Sequence, residues 1–139
     1  LGKSIPARFA HRYYDAITVG IDFTARDLQR NLIAAGAPWE MSKGFDGSAG
    51  LGEFRPVERY DIKNIDFSLT IDDKVVQSAN SSQMLFSVDE VIAYVSRFCT
   101  LKTGDLIFTG TPAGVGPVSI GTHLKGFLGD EKVLDFHVR

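Results

Sequence analysis

The stretch TVGIDFTARDLQ, Thr18 to Gln29, begins as a strand and places a carboxylate, Asp22, where strands have little use for one. Side chains alternate along a strand, so Val19, Ile21 and Phe23 share one face and Gly20, Asp22 and Thr24 share the other. A carboxylate on rigid backbone, with a glycine beside it, suits a hard divalent cation. Mg²⁺ takes one or two carboxylates and keeps waters or substrate oxygens for the rest. The same aspartate would serve equally as a cap for the following helix or as a partner for Arg26. Lys43 is the second candidate. It precedes Gly44-Phe45-Asp46-Gly47-Ser48, where small residues let a ligand approach the backbone. On its own, a lone lysine is a solvated surface charge.

A third stretch, Thr109-Gly110-Thr111-Pro112-Ala113-Gly114-Val115-Gly116, invites comparison with phosphate loops. It lacks the Gly-Lys-Ser/Thr ending, and no helical pattern follows to receive a phosphate. A strand ending in a tight turn that presents Thr111 and backbone amides to a pocket fits it better. Other chemistries find no support. His11, His123 and His137 are scattered without cysteine partners, so a zinc site is not expected. No Gly-x-Ser-x-Gly elbow is present. Cys99 lies in the apolar run Tyr94–Leu101 and reads as a buried, inert thiol.

The elements that must position these residues follow from periodicity and punctuation. Tyr14–Thr24 reads as one strand. Arg26–Ala35 has Leu28, Leu32, Ile33 and Ala35 at helical spacing, with Thr24 as N-cap, Asp27 in the first turn and Gly36 at the C-terminal end. Lys43–Gly52 is a loop or a glycine-tolerant strand pair. Asp66–Ile71 and Lys74–Gln77 form a hairpin across Asp72-Asp73. Ser87-Val88-Asp89-Glu90 is a capping box opening a helix whose apolar face is Val88, Val91, Ile92, Val95 and Phe98. Leu106–Thr109 reads as a short strand, and His123–Leu128 with Lys132–Val138 as a second hairpin across Gly129-Asp130. Strands dominate, two helices interrupt them, and no βαβ repetition occurs. The expected class is α+β with a mixed, mostly antiparallel sheet.

The chain is 139 residues long, which fits one domain with a real core. Hydrophobic residues make up 44% and charged residues 23%, a globular composition. The net charge of −2 gives no electrostatic footprint for nucleic acid or an anionic membrane. No apolar run approaches the ~20 residues of a membrane span. A single cysteine fits a reducing compartment, so a cytoplasmic location is expected.

Four segments, TVGIDFTARDLQ, PWEMSKGFDGSAGLGEF, SSQMLFSVDEVIAYVSRF and LKTGDLIFTGTPAGVGPV, together closely resemble the fumarylacetoacetate hydrolase family, in the right order over nearly the whole chain. The similarity is strongest to acylpyruvate hydrolases and to isomerase/decarboxylases of the homoprotocatechuate pathway. The resemblance implies a fold of mostly antiparallel sheet, a β-roll of the family type, and one Mg²⁺ or Mn²⁺ ion. It implies that Asp22 ligates the metal, that Gln29 and Lys43 line the substrate site with Lys43 catalytic, and that Thr111 contacts the substrate carboxylate. It further implies two metal-binding glutamates in an E-x-E segment ahead of the part matching Leu1-Gly2-Lys3, and a lid with a His–Glu pair before that. Residues 1–139 are therefore expected to be the C-terminal part of the catalytic domain, lacking those glutamates and the lid. Asp46, Glu53 and Glu58 are the internal acids to consider in their place.

The implied activity is metal-dependent cleavage or decarboxylation of 2-oxo or 1,3-dicarbonyl acids through an enolate, with a small 2-oxo acid as partner and a homodimer as the assembly. Isomerisation of hydroxymuconate-type diacids is the alternative within the family. A non-catalytic binding module on the same scaffold, and a phosphate- or nucleotide-binding protein built on Gly110–Gly116, are the readings from other classes.

Overall fold

The computed structural model describes residues 2–139; the expectations made for Leu1 lie outside them. Eight strands and two α-helices follow in the order β1 (Ala16–Ile17), β2 (Gly20–Asp22), α1 (Arg26–Ala34), β3 (Ala49–Leu51), β4 (Arg55–Pro56), β5 (Asp66–Ile71), β6 (Lys74–Asn80), α2 (Val88–Val95), β7 (His123–Leu128) and β8 (Glu131–His137). Short 3-10 turns such as Ala7–Arg12 and Glu40–Ser42 fill some of the connections. The class is α+β, and every strand pairing among the described residues is antiparallel.

A four-stranded sheet ordered β6-β5-β7-β8 forms the floor. Both hairpins form where the turn residues predict them. Asp72 and Asp73 both adopt positive φ, +48° and +65°, the primed turn geometry whose twist matches its flanking strands. Between Leu69 and Thr70 the register slips, because Gln77 faces Leu69 while Val75 faces Thr70, leaving Val76 as a bulge in β6.

A second antiparallel ribbon crosses this floor. Residues 16–22 run against residues 49–56, but not as the single strand that Tyr14–Thr24 suggests. Thr18 and Val19 stand opposite three residues, Gly52 to Phe54, which splits the ribbon into β1–β4 and β2–β3. The extra residue turns the chain towards the floor, where the Glu53 amide donates to the Val133 carbonyl at 2.6 Å. Thr18 Oγ1 closes the break by donating to the Glu53 carbonyl at 3.0 Å.

The apolar face of the ribbon is the expected one. Val19 packs over Gly126 of β7, and Phe23 meets Phe136 of β8 edge-on at 6.3 Å. Ile65, Leu128 and Val133 form the core under it, joined by Ile17, Val19, Tyr60 and Phe67. Arg55 ties the ribbon to the sheet edge, with Nε 2.6 Å from Glu131 Oε1 and Nη2 2.9 Å from Glu53. That contact, with the Tyr60 hydroxyl, holds the Glu131 carboxyl below its ordinary pKa.

A second core gathers Ile5, Ala10 and Ile92, with Tyr14, Val88, Leu101 and Ile107 against them. The capping box of α2 is present in full, Ser87 and Glu90 each satisfying the other's amide. Four expectations need correction. Thr24 does not cap α1; Ala25 occupies that place and no side chain caps it. Phe98 is exposed rather than buried, because α2 ends at Val95 and the helical spacing no longer governs where it points, and Cys99 is exposed although the run around it is apolar. Leu106–Thr109 pairs with no strand; its contact with the fold is made by side chains. No helix is long and apolar enough to cross a membrane among the described residues.

Candidate active site

Asp22 closes β2, where pairing with Ala49 fixes its backbone and alternation turns its side chain away from the floor. The chain then turns into α1, and this turn is tied down from the far side. The Ala25 amide donates to the carbonyl of Ser42, whose own hydroxyl bonds the Trp39 carbonyl at 2.5 Å and is fully buried. Lys43 follows directly and reaches back across the turn. Its Nζ lies 2.5 Å from Asp22 Oδ2 and 2.8 Å from Thr24 Oγ1. The pair is partly open to solvent, with 29% of the Lys43 side chain and 47% of the Asp22 side chain accessible. Asp22 thus pairs with Lys43, twenty-one residues away, and not with Arg26.

Arg26 has another partner. Its Nη1 donates to Gln29 Oε1 at 2.7 Å, one turn along α1, which leaves the Gln29 amide hydrogens pointing elsewhere. Thr111 sits on the Gly110–Gly116 loop, where Gln77 Nε2 donates to its hydroxyl and to the Pro112 carbonyl, both at 3.0 Å. No helix follows that loop, in keeping with the case against a phosphate loop; the chain runs on to β7. Asp22 and Lys43 therefore meet directly, whereas no hydrogen bond joins Gln29 or Thr111 to that pair among the described residues.

The loop nonetheless approaches β2. A Cβ built on Gly20 would lie 2.6 Å from Phe108 Cε1 and 2.9 Å from Cζ. Gly20 and Asp22 face the same way, so the Phe108 ring covers the ribbon one pleat from the carboxylate. Gly20 does not leave that face open for a ligand, as its sequence position suggested; it leaves room for a phenyl ring. Neither Phe108 nor Gln77 stands out in the sequence, and Ser42 reads as an ordinary loop serine. Only the fold reveals their roles.

The donor set fits a divalent cation in kind. Asp22 and Thr24 offer hard oxygens, and the Lys43 ammonium already stands between them as a cation. In number it falls short. No group of three His, Cys, Asp or Glu side chains converges to hold a metal among the described residues. Glu53 is engaged with Arg55, and neither Asp46 nor Glu58 forms a group of three acids with Asp22 among the described residues.

Comparison with known proteins places the arrangement in a family. A family model described as fumarylacetoacetate (FAA) hydrolase C-terminal matches residues 2–139. The chain is 37% identical over 139 residues to a mitochondrial oxaloacetate decarboxylase of Dictyostelium discoideum, covering 99% of this chain and 64% of that protein. It is 41% identical over 108 residues to the oxaloacetate tautomerase YcgM of Escherichia coli, covering 76% of this chain and 49% of the relative. A crystal structure of fumarylpyruvate hydrolase from Pseudomonas aeruginosa, in complex with Mn²⁺ and pyruvate, superposes with a TM-score of 0.91 at 38% identity, covering 99% of this chain and 59% of the other. The chain thus spans less than two thirds of the length of each of these proteins. With the family model matched from residue 2 to the end and the fold shared throughout, this chain belongs to the fumarylacetoacetate hydrolase family.

Proposed function

We propose that this chain forms part of an enzyme that uses one Mg²⁺ or Mn²⁺ ion to cleave or decarboxylate 2-oxo or 1,3-dicarbonyl acids. The observation that carries the proposal is the strand-fixed Asp22 carboxylate holding a cation, the Lys43 ammonium, on the polar face of β2. A bound divalent ion would supply Lewis acidity towards the carboxylate and adjacent carbonyl of such an acid. Asp22 is its ligand from this chain, and two further carboxylates come from outside residues 1–139.

The remaining roles belong to the chain's own side chains. Lys43 places positive charge where an enolate oxygen develops negative charge, in a site that dries as substrate fills it. The Gln29 amide, oriented by Arg26, donates to a substrate oxygen. The Thr111 hydroxyl donates to the substrate carboxylate. Isomerisation passes through the same enolate, and the E. coli relative named as an oxaloacetate tautomerase favours that second reading. A homodimer in the cytoplasm completes the proposal. Strongly exposed apolar side chains such as Leu85 and Ile120 give a second protomer something to cover.

Asp22→Asn tests the reading, because it removes charge and keeps shape. We expect Mn²⁺ binding followed by calorimetry, and turnover of oxaloacetate and acylpyruvates, both to be lost while the thermal midpoint stays within a few degrees. Unchanged Mn²⁺ affinity would refute Asp22 as a ligand. Retained pyruvate binding without turnover of any 2-oxo acid would favour a binding module instead.

A further inference from the structure

We infer that Gln77 is a positioning residue that orients the Thr111 hydroxyl for a substrate carboxylate, an inference that rests on the carboxylate contact proposed for Thr111. Gln77 Nε2 lies 3.0 Å from both Thr111 Oγ1 and the Pro112 carbonyl. A carbonyl can only accept, so the amide atom between the two is the nitrogen, and both its hydrogens are donated. Thr111 Oγ1 therefore accepts from Gln77. Its own proton is turned away from Gln77 and has no protein acceptor among the described residues. A hydroxyl in that state presents a donor, which is what a carboxylate requires. Left free to rotate, the same hydroxyl would offer lone pairs as readily as a proton.

The backbone builds this contact. Val76 is the bulged residue of β6, and a bulge re-aims the side chains that flank it. Its carbonyl lies only 2.1 Å from where a Cβ on Gly114 would stand, so the Gly110–Gly116 loop is seated against the bulge itself. Gln77, the next residue, then reaches the loop three residues earlier, at Thr111. Bulge, glycine and glutamine together fix both the place and the polarity of one hydroxyl.

Gln77→Glu inverts that polarity with little change of shape. A carboxylate cannot donate, so Thr111 must give its proton to the new glutamate and turn lone pairs to the ligand. Gln77→Met removes the steering and adds no charge. The measurement is calorimetric titration of pyruvate into the protein saturated with Mn²⁺ at constant neutral pH, alongside KM and kcat for oxaloacetate.

Thr111→Val removes a hydrogen bond to a charged group, so it should weaken pyruvate binding by about tenfold or more. Gln77→Met should weaken it about threefold and Gln77→Glu at least tenfold, both through KM with kcat within about twofold. Gln77→Glu combined with Thr111→Val should be no weaker than Thr111→Val alone, whereas mere repulsion by the new charge would add to it. Should Gln77→Glu fail to fold, Gln77→Met decides alone. Thr111→Val without effect overturns the carboxylate contact and the inference with it. A clear loss in Thr111→Val, with wild-type affinity in Gln77→Met or full additivity in the double variant, leaves the contact standing and overturns the role of Gln77.

Discussion

Replacing Lys43 with methionine should move two observables in opposite directions. In the free protein the Lys43 ammonium is paired with Asp22, 2.5 Å from Oδ2 and bonded to Thr24. A divalent ion arriving at Asp22 must displace that ammonium or share the carboxylate with it. The pair is partly exposed, at 29% and 47%, so its net worth falls in the range of surface ion pairs, about 0.2–1 kcal/mol. Removing the competitor should tighten Mn²⁺ binding by a factor of up to about five, read by calorimetry. Turnover should fall meanwhile by at least about two factors of ten, near 2.7 kcal/mol, because charge aimed at a developing oxyanion acts on the transition state. Lys43→Arg should retain the competition for Asp22 yet lose most of the turnover, since a planar fork cannot stand where a point charge did. Weaker Mn²⁺ binding in Lys43→Met would show that the ammonium supports the metal site. Activity within about threefold of wild type would return Lys43 to the role of a surface charge.

Gly114→Ala should destabilise the protein by about 3 kcal/mol or more, read from the thermal midpoint, because Gly114 has φ +100° and its Cβ would strike the Val76 carbonyl at 2.1 Å. Acid should expose a second dependence. Asp135 bonds Lys132 and, at 2.6 Å, His123, which hold its pKa at about 2, below its ordinary value. A carboxyl with a lowered folded pKa stabilises the fold above its unfolded value near 4 and loses that stabilisation as pH falls towards 2. Asp135→Asn should therefore flatten the fall of the thermal midpoint between pH 4 and pH 2, and an unaltered slope would contradict the assignment.

What the sequence made legible was local. A capping box at Ser87–Glu90, turn residues at Asp72-Asp73 and Gly129-Asp130, and alternation through Phe67, Leu69 and Ile71 each act within a few residues, and each element formed as expected. The polar face of β2 was legible for the same reason. Contacts between distant residues were not. Lys43 meets Asp22 only because Ser42 is pinned to the start of α1, and nothing near Lys43 announces that bond. Phe108 looked like a strand residue because it is apolar among apolar neighbours, yet it is a plug over Gly20. Phe98 was misplaced because helical periodicity was carried past the last turn of α2, and Cys99 because an apolar run was taken to bury it.

The split ribbon has a consequence for motion. Among the described residues, one backbone hydrogen bond, Glu53 to Val133, joins the β1–β4 and β2–β3 ribbon to the four-stranded floor. Otherwise side chains hold it there, chiefly Val19 on Gly126, Phe23 on Phe136 and Arg55 on Glu131. Such a piece should open as a cooperative unit of its own, at lower free energy than the floor. Amide exchange in β2 and β3 should accordingly outpace exchange in the central strands β5 and β7. Any ion that Asp22 helps to hold would be felt first as slowed exchange across this ribbon, before any change in the floor beneath it. The carboxylate rides on a part of the fold freer to respond than the floor beneath it.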